Sequence, residues 1–558
     1  MTKNREFSYE NILPSKKNLE STKLRFHDEN DIRNSSKTED IIDFAKKVNL
    51  FFFILVTLFS INIFSNLIQI SLLKKIDKSN IKLSNTPRGK ILDRNGTIIA
   101  TNLPTYDLYI DTRKTINKKK VKENISRIFR QKKTGFLNFV FSKDHYILIQ
   151  NNLKQFEINE LKKIGDPGIF FQKSQKRIYP QHNLFCHITG FISKFYIPKS
   201  KLEKNLNTTL NNGKDVKLSL DLRIQTIVHQ ELKESVKEYE ANSGLALVMN
   251  VNNGEILSMV SLPDFDPNYP ESIADFSENN LVTEGRYEMG STLKMFNAAM
   301  AYEYESTGIK KIFDTEKPYQ ITPQKKITDE IKGQKQINFD DIFIKSSNIG
   351  SIKLLEEIGV EKQKKFFQLI GLTKDLNLSG LSVVSNKLPP YWNDTAGKFI
   401  SFGYGISLSP ISLASSFSSL VNGGKKIQPT ISIVKNFDHK NLIRKDTSKK
   451  INNLLKKIVE NGTGKKARVA GVNVGGKTGT SKKWIDGNYS EQKVITSFIG
   501  VFPIEEPKYI TLVLFDEPKR KNDLYLENFG GNTAAPTFSR IIKKISPILN
   551  KENYLSNM

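Results

Sequence analysis

The sequence predicts an α+β protein carrying a single N-terminal transmembrane helix, and three observations predict it. The first is an uncharged apolar run from Val48 to Ile68, about 20 residues and long enough to cross the hydrocarbon core of a bilayer. The second is two pairs of apolar runs with strand character, Leu245–Val251 with Ile256–Leu262 and Ile495–Phe502 with Tyr509–Phe515. The third is the long stretch between those pairs, which reads as mostly helical, with a last helix expected over Ala535–Ile548. Together they predict a central, mainly antiparallel sheet covered by helices.

Taken in order, residues 1–47 mix both charge signs with Ser, Asn and Thr and read as a disordered tail. The run 48–68 lacks the polar face of a core helix, begins far from the N-terminus and precedes no small-x-small cleavage site, so it reads as an uncleaved anchor. Lys46-Lys47 and Lys74-Lys75 flank it almost evenly. The positive-inside rule is therefore locally balanced, and a short inner tail with a large outer domain is the simplest arrangement.

A polar, Lys-rich connector covers 69–80. In Pro87–Ala100 the turn residues Asp93 to Gly96 separate two apolar runs, which predicts a hairpin. From there to Asn212, short apolar strands alternate with Lys-rich helical pieces and no catalytic cluster appears. Arg177-Ile-Tyr-Pro180 and His187–Phe191 stand out mildly, and His187 reads as structural because nothing nearby could share a metal with it. The turn Asn211-Asn-Gly213 marks a boundary, after which Val216–Leu232 opens a new unit with a helix around Arg223–Lys233. Asn252-Asn-Gly254 supplies a good hairpin turn, and the continuous apolar character of its flanking runs implies a sheet covered on both faces. The expected division is 1–47 tail, 48–68 membrane helix, 69–214 non-catalytic unit and 215–558 catalytic unit.

The net charge of +27 invites a nucleic-acid reading, but the lysines are spread along the whole chain and no run interleaves aromatics with Arg. No nucleic-acid partner is expected; a positive surface suits an anionic polymer or membrane headgroups. The single cysteine, Cys186, excludes an internal disulfide and a cysteine zinc site, and the scattered histidines form no H-E-x-x-H pattern. No metal and no cofactor are expected.

Three short motifs carry the chemistry. Ser291-Thr-Leu-Lys294 opens a helical stretch, where positions i and i+3 share a face, so Oγ of Ser291 and Nζ of Lys294 are expected to meet. A serine hydroxyl needs a base, and a lysine serves when burial or a neighbouring cation such as Lys477 lowers its pKa. Ser346-Ser-Asn348 falls on a turn between two expected helices, where Ser346 could relay a proton and Asn348 could meet a substrate amide; a plain helix cap is the other reading. Gly475-Gly-Lys-Thr-Gly-Thr-Ser481 offers a charge at Lys477, hydroxyls at Thr478 and Thr480, and close backbone approach at Gly479. A strand edge here could bind a peptide by β-addition, with the backbone N–H groups of Ser291 and Thr480 as an oxyanion hole. Gly471–Thr478 also matches the P-loop pattern, but no apolar helical period follows it.

With these residues in place the chain resembles a class B penicillin-binding protein, over nearly everything beyond the anchor. The stretch PRGKILDRNGTIIAT is similar to the start of that family's non-catalytic pedestal, and RIYP followed by CHITGFI to its end. SLPDFDPN, GSTLKMF, SSNIG and GGKTGTS resemble its transpeptidase domain, and Phe402–Pro410 looks like the septal, FtsI-type branch. The resemblance implies Ser291 as acylated nucleophile, Lys294 as its base, Ser346 and Lys477 in proton transfer, and Asn348, Thr478, Gly479 and Thr480 in substrate binding. It implies stem peptides ending in D-Ala-D-Ala as substrate, acylation by β-lactams, an inner-membrane anchor with a periplasmic catalytic domain, and an FtsW-type glycosyltransferase among other divisome partners. Elongation-specific transpeptidation and a non-catalytic β-lactam or peptide receptor are the alternatives. No Glu-x-x-Leu-Asn segment, which positions a deacylating water in class A β-lactamases, lies between Asn348 and Lys477, so aminolysis is expected over fast hydrolysis. Glu288-Met289 stands where the family often has Glu-Pro.

Overall fold

The computed structural model describes residues 44, 46–64, 87–129, 134–142, 146–193, 196–330, 335–434, 440–519 and 529–556. The expected tail up to residue 43, the connector at 69–80 and the last residues of the expected anchor, 65–68, lie outside the described residues. Residues 1–83 and 84–558 form separate compact units.

In the first unit, α1 (Lys46–Phe64) is long and apolar enough to cross a membrane. Its two hydroxyls turn back onto the helix: Thr57 Oγ1 donates to Phe53 O at 2.7 Å and Ser60 Oγ to Val56 O at 2.8 Å. Such internal satisfaction lets these two hydroxyls do without water.

The second unit opens with β1 (Ile91–Leu92) and β2 (Ile98–Asp111), the hairpin expected around Asp93–Gly96. Asp93 is buried and its carboxylate accepts from Asn95 N and Thr97 N, closing the turn, while its other oxygen accepts from Leu222 N. β2 then pairs with both β3 (Tyr146–Gln150) and β4 (Ile169–Ile178), and β1 pairs in parallel with β5 (Val216–Lys217). Helices α2 (Lys118–Phe129), α3 (Thr134–Ser142) and α4 (Gln155–Lys162) accompany this sheet, and Leu108 and Ile110 of β2 share a core with Val121, Ile125 and Leu137 of the helices. The fully buried Glu203 accepts from Arg177 Nε at 2.7 Å and Arg88 Nε at 2.8 Å. It thereby ties the Pro87-Arg-Gly and Arg-Ile-Tyr-Pro segments together. His187 is buried against Phe265 and bonds Ser277 O through Nε2; burial pushes it down to about 4, so it stays neutral, as its structural reading requires.

The rest of this unit is built on a five-stranded antiparallel sheet. Helix α5 (Leu222–Glu238) precedes the hairpin β6 (Ser243–Asn250) and β7 (Ile256–Leu262). β8 (Gly475–Ile485), β9 (Asn488–Phe502) and β10 (Tyr509–Asp516) complete the order β8-β9-β10-β6-β7. The apolar run of β6 is continuous because alternate side chains enter two cores. Ala246 and Val248 pack with Ile224 and Val228 of α5 and with Phe538 and Ile541 of the last helix, α12 (Ala534–Ser556). Leu245, Leu247 and Met249 face the helical region on the other side. There α6 (Lys294–Glu303) is buried from Lys294 to Ala301, an all-round burial that fits a helix passing through a core. Around it stand α7 (Phe339–Ile344), α8 (Asn348–Ile358), α9 (Asp394–Phe402), α10 (Pro410–Val421) and α11 (Lys445–Asn461). The last helix runs past the expected Ile548. Gly471–Thr478 leads into strand β8, with no helix opening at Lys477, so the P-loop reading is wrong.

Candidate active site

The nucleophile motif lies on a tight entry into the core helix. Gly290–Leu293 form a single 3-10 turn before α6, so Ser291 sits at the surface of the turn while Lys294, three residues on, is fully buried. Gly290 has φ +53°, and a Cβ there would lie 2.3 Å from Thr480 O, so only glycine allows this turn to press against β8. Gly403 closes the other side: its φ is +110° and a Cβ would fall 2.0 Å from Gly290 O.

The second motif joins two helices. α7 ends in a Schellman arrangement, with Ser347 N donating to Ile342 O at 2.8 Å and Ser346 left-handed at φ +61° in the position glycine usually fills. Ser347 is the N-cap of α8, its Oγ accepting from Gly350 N at 2.8 Å. The capping reading is thus true of the middle residue, which leaves Ser346 and Asn348 free for other work. Asp329 fixes the junction, accepting from Ser347 Oγ at 2.5 Å, Asn348 N at 2.6 Å and Ile349 N at 3.0 Å.

The third motif lies on β8, an edge strand of the sheet. Lys477 is fully buried; Thr478 and Thr480 line the cleft; Gly479 is packed so closely that a Cβ would meet Ser497 Oγ at 2.3 Å and Met289 O at 2.7 Å. Gly530 approaches from the opposite side, its N donating to Thr480 Oγ1 at 3.1 Å. Thr463 Oγ1 and Thr478 Oγ1 are 2.9 Å apart.

All three motifs meet in one cleft of about 740 Å³, lined by Ser291, Ser346, Asn348, Thr478 and Thr480 among others. Lys294 Nζ reaches Ser346 O at 2.6 Å, Asn348 Oδ1 at 2.7 Å and Ser346 Oγ at 3.3 Å. Lys477 Nζ reaches the same Ser346 Oγ at 2.9 Å. The expected Oγ–Nζ meeting of Ser291 with Lys294 is not among the described hydrogen bonds; the lysine is turned toward Ser346 and Asn348. Burial pushes Lys294 down to about 7, opposed by the charges of Asp329 and Glu330. Burial also holds Lys477 well below the ordinary lysine range, helped by the charge of Lys294. A neutral Lys294 has two N–H groups, and the two short contacts to Ser346 O and Asn348 Oδ1 use both, so its lone pair is left for a hydroxyl.

Sequence reasoning missed Asp329, Thr463, Gly403 and Gly530. Asp329 stands in no motif. Thr463 lies in Gly462-Thr-Gly464, and Gly530 in Gly530-Gly-Asn-Thr533, stretches that match none of the three motifs. Among the described residues no group of His, Cys, Asp and Glu could hold a metal ion.

A helix-covered sheet with a serine on a turn before the core helix, two buried lysines sharing one hydroxyl, and a glycine-lined edge strand is the architecture of serine acyl-transferases. Comparison with known proteins narrows the class. The model of the penicillin binding protein transpeptidase domain matches residues 244–543, and that of the penicillin-binding protein dimerisation domain matches residues 83–216. The probable peptidoglycan D,D-transpeptidase FtsI of Caulobacter vibrioides is 30% identical over 483 residues, covering 83% of this chain and 81% of the relative. The probable peptidoglycan D,D-transpeptidase PenA of Neisseria meningitidis is 29% identical over 493 residues, covering 82% and 83%. In fold, the chain matches penicillin binding protein 3 of Mycobacterium tuberculosis, solved with aztreonam, at a TM-score of 0.65 and 19% identity, covering 84% of this chain and 96% of that one. A peptidoglycan synthetase of Bifidobacterium adolescentis gives 0.65 at 18% identity, covering 83% and 96%. The chain belongs to the penicillin-binding protein transpeptidase family.

Proposed function

We propose that this chain is a peptidoglycan D,D-transpeptidase of cell division, working through an acyl-enzyme on Ser291. The observation that carries the reading is the convergence of the three motifs on one cleft around two buried, pKa-lowered lysines that share Ser346 Oγ. Neutral Lys294 takes the proton of Ser291 as its Oγ attacks the carbonyl of the penultimate D-Ala. The N–H groups of Ser291 and Thr480 hold the oxyanion. The proton passes by way of Ser346 and Lys477 to the departing amine, and terminal D-Ala leaves. An amine of a neighbouring stem then attacks the ester, returns its proton along the same path and frees Ser291, leaving a cross-link. Asn348 orients the donor amide; Lys477, Thr478 and Thr480 hold its terminal carboxylate, with Gly479 permitting the close backbone approach. β-Lactams enter the same path and stop at the ester.

We assign residues 69–214 to the pedestal and 215–558 to the transpeptidase domain, with α1 as an inner-membrane anchor and the catalytic part on the periplasmic side. An FtsW-type polymerase and other divisome proteins are the partners this arrangement suits. Purified protein incubated with stem peptides should yield cross-linked dimers by mass spectrometry, and Ser291→Ala should yield none. Acylation by penicillin without any cross-linked product would favour a receptor.

A further inference from the structure

A second cleft, of about 660 Å³, lies beside the first and has no part in the chemistry above. The two share Lys482 and are separated by a wall of two aromatic rings: Tyr404, which lines the catalytic cleft, and Tyr489, which lines the second, have centroids 5.0 Å apart. β8 runs between them. Thr478, Thr480 and Lys482 line the catalytic cleft, while Ser481, Lys482, Lys483 and Trp484 line the second.

The charge of the second cleft is unbalanced. Its two carboxylates are occupied: Glu288 Oε1 accepts from Gly405 N at 2.8 Å and Tyr489 Oη at 3.1 Å, and Asp516 pairs with Lys483 at 2.8 Å. Arg286 and Lys387 also line it; among the described residues neither forms an ion pair, and the charge of Lys387 acts at longer range on the Glu288 carboxylate. Trp484, 61% exposed and 4.8 Å from the Tyr489 ring, adds a flat apolar wall. The cleft therefore presents surplus positive charge beside an aromatic platform, the chemistry that receives a carboxylate attached to an apolar or amide-bearing chain.

Strand geometry says which chain reaches it. From Thr480 to Trp484 is four residues, about 13 Å along an extended strand. A peptide whose terminal carboxylate is held at Thr478 and Thr480, and which lies along the edge of β8, takes the place of the Tyr404 hydroxyl that accepts from Lys482 N at 3.2 Å and carries its upstream residues past that ring toward this cleft. We infer that the cleft bounded by Arg286, Lys387 and Trp484 is a subsite for free carboxylates on the upstream residues of the donor peptide, so that the protein selects anionic stems over amidated ones. This deepens the reading of Ser291 as the acylated residue and rests on it.

The test uses three donors ending in D-Ala-D-Ala: a pentapeptide with free upstream carboxylates, the same peptide amidated at those groups, and a short tripeptide with no carboxylate other than its C-terminal one. kcat/KM for D-Ala release is measured for the native protein and for Arg286→Gln/Lys387→Gln, with the rate of penicillin acylation as the control for an intact catalytic cleft. The native protein should prefer the anionic pentapeptide over its amidated twin by about tenfold, the scale of a charge-assisted contact. The double variant should lose that preference while acylation by penicillin and turnover of the tripeptide stay within about twofold. Lys387→Arg should retain it. Normal penicillin acylation with no preference in the native protein, or with the preference kept in the double variant, overturns the subsite and leaves the catalytic reading standing. Failure of the native protein to acylate with penicillin overturns the catalytic reading, and the subsite with it.

Discussion

Two lysines packed around one serine hydroxyl set the behaviour of the site at the residue scale. Because burial disfavours the charged form, the lone pair of Lys294 appears as pH rises through about 7, far below the ordinary lysine range. The rate of β-lactam acylation should therefore climb through neutral pH and level off above it, in stopped-flow measurements with a chromogenic cephalosporin. The limb belongs to the lysine pair, since both contact Ser346 Oγ. Lys294→Met should lower the acylation rate by about 10²–10⁴-fold, the usual worth of a positioned base, and remove the limb. The same shift acts on stability with a definite sign. Between about 7 and the ordinary value of 10.5, the unfolded chain holds a proton on this lysine that the folded protein has released, so native stability rises with pH across that window. Lys294→Met escapes this penalty, and its melting temperature relative to the native protein should be highest below about pH 7 and should fall back as pH approaches 10.5.

The elements that carry the site were legible to different degrees, and the differences have physical causes. Strands β6, β7, β9 and β10 were readable because a sheet buried on both faces writes unbroken apolar runs, as Leu245–Met249 does by feeding two cores at once. The order Ser291, Ser346, Lys477 was readable because each residue's chemistry depends on its neighbours in sequence. Asp329 was not readable, since it acts across 18 residues on the N-terminus of α8, a contact with no local spacing to betray it. Gly403 lies in the Phe402–Pro410 stretch, but its role was not readable there: its need for glycine arises from Gly290, more than a hundred residues away. Both omissions give tests. Asp329→Ala removes three hydrogen bonds at the start of α8 and should cost about 1–2 kcal/mol by denaturant unfolding, with slowed acylation because Asn348 loses its anchor. Gly403→Ala drives a methyl group into the Gly290 carbonyl and should displace the nucleophile turn, lowering acylation at least tenfold even where the protein still folds.

At the scale of the whole molecule, the second unit is joined through polar groups as much as through its core. Glu203, 0% exposed, faces Arg88 just before the first hairpin and Arg177 from the end of β4, while Asp93 of that hairpin accepts from Leu222 N at the start of α5. Glu203→Gln leaves two guanidinium groups in a dry pocket without a counter-charge, a change that should cost about 3–5 kcal/mol in calorimetry. The stretches around these residues stood out in the sequence without a stated job; the structure shows that part of their job is to hold one another. The apolar helix α1 was legible from length and the lack of charge alone, and its two hydroxyls bond to the helix's own carbonyls.

The central claim is that three separated motifs make one acylation site and that Ser291 is its nucleophile. Peptide mapping by mass spectrometry after incubation with penicillin tests it most directly. The account predicts a single penicilloyl adduct on the peptide containing Ser291, absent from a folded Ser291→Ala protein. An adduct on another residue, or labelling of Ser291→Ala at the native rate, would contradict it.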